Sequence, residues 1–210
     1  NLSTCDIIRI DHFRGFEAYW AVPYGDDTAI NGQWVKGPGI DLFNKIKEEL
    51  GELPIIAEDL GLMTQGVIDL RDATGFPGMK ILGFAFDSEE ENDYLPHTYT
   101  KNCVVYTGTH DNDTLIGWFT KAKEKDKQFA RDYLNSQTDD NIHWDAIRGA
   151  WSSVANMAIA PIQDFLGLGS EARINTPGVA SGNWQWRLKD GVLTDELAEK
   201  IAKLTKVYSR

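Results

Sequence analysis

The stretch IIRIDHFRG, residues 7–15, begins like a buried β-strand and then carries several charged side chains. Because successive side chains point to opposite faces of a strand, Ile8 and Ile10 share one face. Arg9 and Asp11 share the other. A carboxylate beside a guanidinium stays ionised, since the opposite charge favours its charged form. The pair therefore fits either an ionised nucleophile or an ion pair that only orders the strand end.

Around this stretch, predicted strands alternate with predicted helices. The predicted strands are residues 5–11, 53–58, 79–86, 103–109 and 157–163. The predicted helices are residues 41–50, 64–74, about 114–134, about 145–155 and 195–208, with Asp41, Thr64 and Thr114 at helix starts and Gly75 at a helix end. The segment between the first strand and the first helix has the composition of an aromatic loop. This order predicts an α/β protein with parallel strands and right-handed crossovers, either doubly wound or closed into a barrel.

Three acidic residues favour the barrel. Asp11, Glu58 and Asp111 each lie at or just beyond the end of a different predicted strand. Catalytic groups of a (β/α)8 TIM barrel collect on the face formed by the carboxyl ends of its strands. Five strands are predicted where a closed barrel has eight, so we expect residues 1–210 to be the C-terminal part, about strands 4 to 8, of a catalytic barrel. As an isolated polypeptide, such a part is expected to aggregate or to be inactive, because strand edges stay uncovered.

The amino-acid composition is typical of a folded globular protein and argues against nucleic-acid-binding and membrane-spanning proteins. The chain has 42% hydrophobic and 25% charged residues, as in a folded globular domain, and its net charge is −11. No basic run is present, which argues against a nucleic-acid partner. No apolar segment approaches the roughly 20 residues that a membrane span needs. Cys5 and Cys103 lie in apolar strand-like runs, so we expect two buried thiols in a reducing compartment rather than a disulfide or a metal site.

Glu58 follows an apolar strand in the sequence AEDLG, residues 57–61. A carboxyl held against apolar walls has a raised pKa and can act as a general acid near neutral pH, then as a base. The alternative is that Glu58 or Asp59 caps the next helix. Both interpretations fit this stretch by itself.

The sequence YTGTHDND, residues 106–113, places His110 and Asp111 at the end of another strand. A metal site is disfavoured, because no His-x-x-x-His or paired-cysteine spacing accompanies them. Three acidic groups at three strand ends instead favour chemistry at a glycosidic bond, in which one carboxylate attacks and one carboxyl protonates the leaving oxygen. Many aromatic residues follow the first strand, and aromatic rings stack on sugars, although most aromatic residues of the chain are expected in the core.

Five blocks of sequence, taken together and in order, resemble the amylomaltases. The blocks are RIDHFRGFEAYW, IIAEDLG, PGMKILGFAFD, VVYTGTHDNDT and LGLGSEARINTPGVASGNWQWR. Amylomaltases are 4-α-glucanotransferases of the α-amylase superfamily. The resemblance, which extends to about Arg187, implies a retaining enzyme on a (β/α)8 barrel. It also implies transfer of α-1,4-glucan segments between maltooligosaccharides through a covalent intermediate, with no cofactor.

The resemblance implies a role for each acidic residue. Asp11 matches the nucleophile, Glu58 the acid/base and Asp111 the aspartate that stabilises the charged transition state. Arg9 is expected to hold Asp11 ionised, and His110 to donate a hydrogen bond to a sugar hydroxyl. Further positions expected to line the sugar site are Phe84, Arg173, Asn175 and Trp184.

The glycine-rich segment 165–187 is expected to form an ordered loop over the pocket. The resemblance also implies a cytoplasmic enzyme, or a plastid enzyme if the source is a plant. Two alternatives stay open: an α-glucan hydrolase with the same mechanism, and a glucan-binding barrel without catalysis.

Overall fold

The computed structural model describes residues 2–61, 63–89 and 93–210. The chain divides into two compact units, residues 1–79 and 80–210. Strands alternate with helices along much of the chain, and each unit contains a pair of parallel strands. The predicted α/β class is therefore confirmed. Among the described residues, no helix combines the length and the apolar character needed to cross a membrane.

The first unit is built on two parallel strands. Its elements are β1 (Ile8–Ile10), β2 (Ala18–Ala21), β3 (Gln33–Lys36), α1 (Ile40–Leu50), β4 (Ile55–Ala57) and α2 (Gln65–Thr74). β1 pairs with β4 so that Arg9 lies opposite Ile56 and Ile10 lies opposite Ala57. Ile10 packs on a buried cluster of Phe13, Phe43, Ala57, Val67 and Leu70, which joins the sheet to both helices. Burial of these apolar side chains holds the ends of β1 and β4 in place.

The predicted aromatic loop contains a β-hairpin, which corrects the sequence prediction. β2 and β3 pair antiparallel, with Trp20 opposite Trp34 and their ring centroids 5.3 Å apart. Both strands are rich in aromatic and β-branched residues, as strands usually are. Residues 22–32 connect them, and although this connection ends in Asn31-Gly32, it is far longer than the two-residue loops in which that dipeptide marks a hairpin.

The two helices of the first unit begin differently. Gly39, with φ +60°, is the N-cap of α1, so Asp41 lies inside the first turn and is not the cap that was predicted. Glycine adopts a positive φ at no steric cost, which explains why the helix begins one residue earlier. Thr64 is the N-cap of α2, and Gly75 with φ +73° ends that helix, as predicted.

The second unit contains a three-stranded sheet of order β5–β6–β7, in which β5 begins at the end of the first unit. The elements are β5 (Gly78–Ile81), β6 (Cys103–Tyr106), α3 (Leu115–Lys121), α4 (Glu124–Leu134), α5 (Ile142–Trp151), β7 (Met157–Ile159), α6 (Ile162–Phe165) and α7 (Asp195–Val207). β6 and β7 are parallel, with Val105 opposite Ala158. The main core lies between these strands and α3 to α6, and α7 packs on its margin.

Four predicted elements of the second unit are shorter than expected, and the predicted strand 103–109 ends at Tyr106. The predicted helix 114–134 is interrupted at Ala122 and Lys123, whose extended conformations separate α3 from α4. The predicted strand 79–86 ends at Ile81 and continues as a 3-10 turn. The predicted strand 157–163 ends at Ile159, because Pro161 has no N–H to donate to a sheet and instead precedes α6.

The two cysteines differ in burial. Cys103 is buried in β6, and its Sγ donates to the carbonyl oxygen of Thr100 at 3.0 Å. Cys5 is exposed, contrary to the prediction of two buried thiols. The reason is that β1 begins at Ile8 rather than at residue 5, so Cys5 precedes the strand that was expected to bury it.

Candidate active site

In the first unit, backbone hydrogen bonds join the turn after β1 to the end of β4. The N–H of Glu58 donates to the carbonyl oxygen of Ile10 at 2.9 Å, and the N–H of Phe13 donates to the carbonyl oxygen of Glu58 at 2.9 Å. Asp11 lies within this turn. Because β1 and β4 are parallel neighbours, Asp11 and Glu58 both follow the same edge of the pair. We name Arg9, Asp11 and Glu58 the β1–β4 cluster.

The carboxylate of Glu58 is held by two backbone donors. Oε2 accepts from the N–H of His12 at 2.6 Å, and Oε1 accepts from the N–H of Leu60 at 3.1 Å. His12 has φ +49°, a conformation that is uncommon outside glycine, and its N–H lies in the turn after β1. Glu58 thus has a fixed orientation, and it caps no helix.

Asp59 has a structural role. Its side chain is buried, accepts a hydrogen bond from the N–H of Met79 at 2.7 Å and forms an ion pair with Arg71 at 2.8 Å. Burial by itself would lower the pKa of Arg71, but the hydrogen bonds to Asp59 and Asp72 outweigh it and raise that pKa. Asp59 therefore connects β4, α2 and β5, and the prediction that Glu58 or Asp59 caps the next helix is wrong.

Arg9 and Asp11 form the predicted contact. Nη2 of Arg9 lies 3.2 Å from Oδ1 of Asp11, and the Asp11 side chain is 78% exposed. An ion pair this exposed contributes about 0–1 kcal/mol to stability. The contact is thus too weak to be explained as a stabilising device, and it orients a carboxylate that is accessible within this unit.

In the second unit, residues from two segments converge on Asp111. Asn175 donates from Nδ2 to Oδ1 of Asp111 at 2.5 Å, and Nε2 of His110 lies 3.3 Å from Oδ2. Arg173 donates from Nη2 to the backbone oxygen of Asp111 at 2.6 Å and from Nε to that of Asn175 at 2.8 Å. The segment 165–187 therefore supplies side chains that fix the end of β6. We name His110, Asp111, Arg173, Asn175 and Trp184 the Asp111 cluster.

Trp184 joins this cluster through its ring. The indole lies 5.2 Å from the His110 ring, with 35° between the two planes, and its side chain belongs to the exposed aromatic residues of the unit. Its φ is +63°, and its N–H donates to the carbonyl oxygen of Ile174 at 2.8 Å. A bulky residue at positive φ is a conformational outlier that tertiary contacts must stabilise.

A cavity of about 390 Å³ lies beside Asp111. Phe84 and Arg173 line it together with Asp111, as do Asp113 and Trp118. The ring of Phe84 is 44% exposed and meets Tyr94 edge to face at 5.4 Å. A cavity with one exposed aromatic ring and several polar groups suits a sugar, whose apolar faces stack on rings while its hydroxyls form hydrogen bonds.

Two aspartates that support the Asp111 cluster were not among the predicted site residues. Asp164 is buried and accepts from the hydroxyl of Thr107 at 2.6 Å and from the N–H of Leu115 at 2.8 Å. Burial raises the pKa of Asp164 despite these hydrogen bonds. The sequence feature that could have identified Asp164 is the polar pair Gln163 and Asp164 within the apolar run 157–166.

The second of these aspartates is Asp113, which accepts from Ser170 Oγ at 2.7 Å and pairs with Lys121 at 2.7 Å. Burial opposes ionisation of Asp113, but the hydrogen bonds from Lys121 and Ser170 outweigh it and lower its pKa. Thr114 is the N-cap of α3, as predicted, and its Oγ1 accepts from the N–H of Gly117. The loop between β6 and α3 is therefore held by side chains from α6 and from the segment after it.

An α/β protein with acidic residues after several strands, two of them in contact with basic or amide partners, has the features of enzymes that act on glycosidic bonds. A model of the glycoside hydrolase 77 family, described as 4-alpha-glucanotransferase, matches residues 1–194. The chain belongs to this family.

Relatives with known names agree with the family match. The 4-alpha-glucanotransferase of Clostridium butyricum is 57% identical over 212 residues, covering 100% of this chain and 43% of the relative. The chloroplastic/amyloplastic 4-alpha-glucanotransferase of Arabidopsis thaliana is 46% identical over 208 residues, covering 98% of this chain and 36% of the relative. The chain thus spans less than half the length of these relatives.

A solved structure is similar over the whole chain. The amylomaltase from Streptococcus agalactiae in complex with acarbose has a TM-score of 0.95 and 38% sequence identity. The match covers 100% of this chain and 42% of that chain. The arrangement of helices and strands in this chain is therefore similar to that of a region of this amylomaltase.

Proposed function

We propose that the protein is a retaining 4-α-glucanotransferase and that residues 1–210 form the C-terminal part, about strands 4 to 8, of its catalytic (β/α)8 TIM barrel. The family match and the similarity to an amylomaltase support this proposal. The observation that carries it is the β1–β4 cluster, in which a charge-paired carboxylate and a second, backbone-held carboxylate follow adjacent parallel strands. A retaining mechanism needs two such groups with different roles.

In the first step, an oxygen of the Asp11 carboxylate forms a bond to the anomeric carbon of an α-1,4-glucan. The bond from that carbon to the glycosidic oxygen breaks, and Glu58 gives its proton to the departing oxygen. The product is a glycosyl ester of Asp11. The contact from Arg9 supports this role, because it orients the carboxylate while leaving it accessible.

In the second step, the 4-hydroxyl of an acceptor glucan or of glucose attacks the same anomeric carbon. The Glu58 carboxylate takes the proton of this hydroxyl, the new glycosidic bond forms and the ester bond to Asp11 breaks. Donors and acceptors in this proposal are maltooligosaccharides and other α-1,4-glucans. Hydrolysis would follow the same path with water in place of the acceptor.

The Asp111 cluster is proposed to bind the reacting sugar and to favour its distorted, positively charged state. Asn175 and His110 fix the Asp111 carboxylate, and Arg173 fixes its backbone. Phe84 and Trp184 are proposed to contact sugar rings, since both present exposed aromatic surface. We further propose that the enzyme acts in the cytoplasm of a bacterial source, or in a plastid if the source is a plant, as the name of the Arabidopsis relative indicates for that protein.

Incubation of the full-length protein with maltotriose tests the proposal. Transfer gives glucose and longer maltooligosaccharides with a constant number of reducing ends, whereas hydrolysis raises that number. In the Asp11→Asn variant we expect transfer to fall by a factor on the order of 10³ or more, because the amide is a poor nucleophile. Asp27, which is also exposed, supplies the control variant Asp27→Asn. Full activity of Asp11→Asn would contradict the role of Asp11 as nucleophile, whereas neither transfer nor hydrolysis by the unaltered protein would leave the non-catalytic glucan-binding alternative.

A further inference from the structure

The second unit contains a cavity of about 630 Å³ that the proposed reaction does not use. It lies between the connection from α4 to α5, α5 itself and α7, and we name it the α5–α7 cavity. Its volume is within the range of roughly 300–1,000 Å³ that is typical of small-molecule sites. None of the predicted site residues lines it.

The charged residues of this cavity are mainly basic. Arg148, Lys200 and Lys203 line it, and Asp145 is the acidic residue among the lining side chains. Asp145 is already engaged, because Oδ1 accepts from Arg148 Nη1 at 2.8 Å and Oδ2 accepts from Ser136 Oγ at 2.6 Å. In the described part of the chain, no carboxylate lies within 4.0 Å of the ammonium of Lys200 or Lys203. A protein with net charge −11 thus places three basic side chains and one acidic side chain around this cavity.

Lys200 is held at the wall of the cavity by an aromatic ring. Its Nζ lies 3.7 Å from the centre of the Trp144 ring, and Trp144 is only 8% exposed. Burial and the positive charge of Arg148 lower the pKa of Lys200, and the charge of Asp145 offsets this only in part. An anion bound between Lys200 and Arg148 would remove this repulsion, since an opposite charge stabilises both cations.

The other lining groups are those that bind a hydroxyl-rich molecule. Four neutral polar side chains face the cavity, and they can both donate and accept hydrogen bonds: Asn135, Gln137, Thr138 and Asn141. Leu204 and Tyr208 supply apolar surface on which a sugar ring can pack. Basic, amide and aromatic groups thus line the same space.

From these groups we propose that the α5–α7 cavity is a binding site for a phosphorylated sugar. Lys200, Lys203 and Arg148 bind the phosphate, and the amide and apolar groups bind the sugar. The site is separate from the residues assigned to glucan transfer, so substitutions of its lysines distinguish its occupancy from binding of glucose as an acceptor. Binding weakens as salt concentration rises, because the phosphate contacts are partly exposed.

Calorimetric titration of the full-length protein with glucose 1-phosphate tests this proposal. We expect one site, an affinity that decreases about tenfold or more in the Lys200→Met/Lys203→Met variant, and an unchanged affinity in Lys206→Met. Lys206 lies on the same helix but does not line the cavity, so its variant controls for the loss of charge. Glucose and inorganic phosphate, titrated separately, are expected to bind more weakly than glucose 1-phosphate.

Several outcomes would overturn the proposal. These are no binding of glucose 1-phosphate at millimolar concentration, equal binding by the double variant, and equal binding of glucose. Inorganic phosphate binding as tightly as glucose 1-phosphate would overturn the assignment of the sugar. If the double variant does not fold, as judged by its thermal unfolding midpoint, the exposed substitution Lys203→Glu replaces it, and unchanged affinity in that variant contradicts the proposal.

Discussion

The two units hold their acidic residues by different means. In the first unit, the turn that carries Asp11 and the carboxylate of Glu58 are fixed by backbone hydrogen bonds between neighbouring strands. In the second unit, Asp111 is fixed by Asn175 and Arg173, which lie 64 and 62 residues further along the chain. The geometry of the β1–β4 cluster therefore depends on the register of the sheet, whereas the geometry of the Asp111 cluster depends on a segment that is distant in sequence.

This difference predicts how substitutions act. A side-chain change in the β1–β4 cluster removes a reacting group but leaves the backbone hydrogen bonds that position the rest. A change in the segment 165–187 leaves the Asp111 carboxylate in place but removes what orients it. Substitutions made within each unit separately test this contrast.

The largest effect in this series is expected for Glu58→Gln. The amide cannot give a proton to the leaving oxygen, and it has one acceptor oxygen for the two N–H groups that the carboxylate satisfies. Transfer from maltotriose is expected to fall by about 10²–10⁴-fold, the usual contribution of general acid–base catalysis. Steady-state rates measure this loss.

A donor with a good leaving group distinguishes loss of the proton donor from loss of the hydrogen bonds that orient residues 58–60. α-Maltosyl fluoride needs no proton on its leaving group, so Glu58→Gln is expected to form the glycosyl ester from it at a rate closer to that of the unaltered protein. A loss of equal size with both donors would contradict the acid role. It would indicate instead that the fixed orientation of residues 58–60 has been lost.

A smaller effect is expected for Asn175→Ala. The variant removes the hydrogen bond to Oδ1 of Asp111 and leaves the Asp111 charge in place. Transition-state binding is expected to weaken by about 1.5–3 kcal/mol, the value of a hydrogen bond to a charged group, which lowers kcat/KM by roughly 10–150-fold. Asn183→Ala, in the same segment but bonded to Thr176 and Val179, is the control. Equal losses in both variants would show that loop structure, rather than Asp111 orientation, is being measured.

The smallest effect on activity, with a measurable effect on stability, is expected for substitutions of Asp164. Asp164→Ala leaves the buried N–H of Leu115 without its acceptor and is expected to lower the free energy of unfolding by about 2–4 kcal/mol. Asp164→Asn keeps that acceptor and can donate to Thr107, so the free energy of unfolding is expected to fall by less in this variant. Urea unfolding measures the free energy of unfolding of both variants. Equal decreases would contradict the importance of the hydrogen bond from the N–H of Leu115 to residue 164.

The contribution of Asp164 to the free energy of unfolding is expected to decrease as pH rises. Burial raises its pKa in the folded protein above the ordinary value of 3.8, so the folded state binds its proton more tightly than the unfolded state. Its contribution to stability is therefore fully present below pH 3.8 and is lost as pH rises through the folded-state pKa. The difference in unfolding free energy between the unaltered protein and Asp164→Asn isolates this contribution. A difference that increases with pH would contradict it.

Much of the first unit could be predicted from sequence because its signals are local. The alternation in residues 7–11 predicted the contact between Arg9 and Asp11, which the structure contains. The helix-ending role of Gly75 follows from a single residue with positive φ. The hairpin was missed because its strands are joined by the long connection 22–32, in which Asn31-Gly32 is not flanked on both sides by strand residues as in a two-residue hairpin loop.

The interior of the second unit was harder to predict because its signals are not local. The break between α3 and α4 lies in a stretch of good helix formers, so propensity favoured one long helix. Asp164 is placed by contacts with Thr107 and Leu115, which are about 50 residues away in sequence. The roles of Asp11, Glu58 and Asp111 in the reaction stay predictions, since geometry within each unit does not identify the reacting groups.

The conformation of His12 restricts which residues the chain can carry there. Its N–H donates to the Glu58 carboxylate with φ at +49°, and valine, isoleucine and threonine adopt such values at high steric cost. Glycine, asparagine and aspartate adopt them more readily. In a library that randomises position 12, variants with correctly oriented Glu58 would therefore be concentrated among a few amino acids. The backbone conformation at residue 12 therefore limits which residues a redesign of the neighbouring carboxylates can place there.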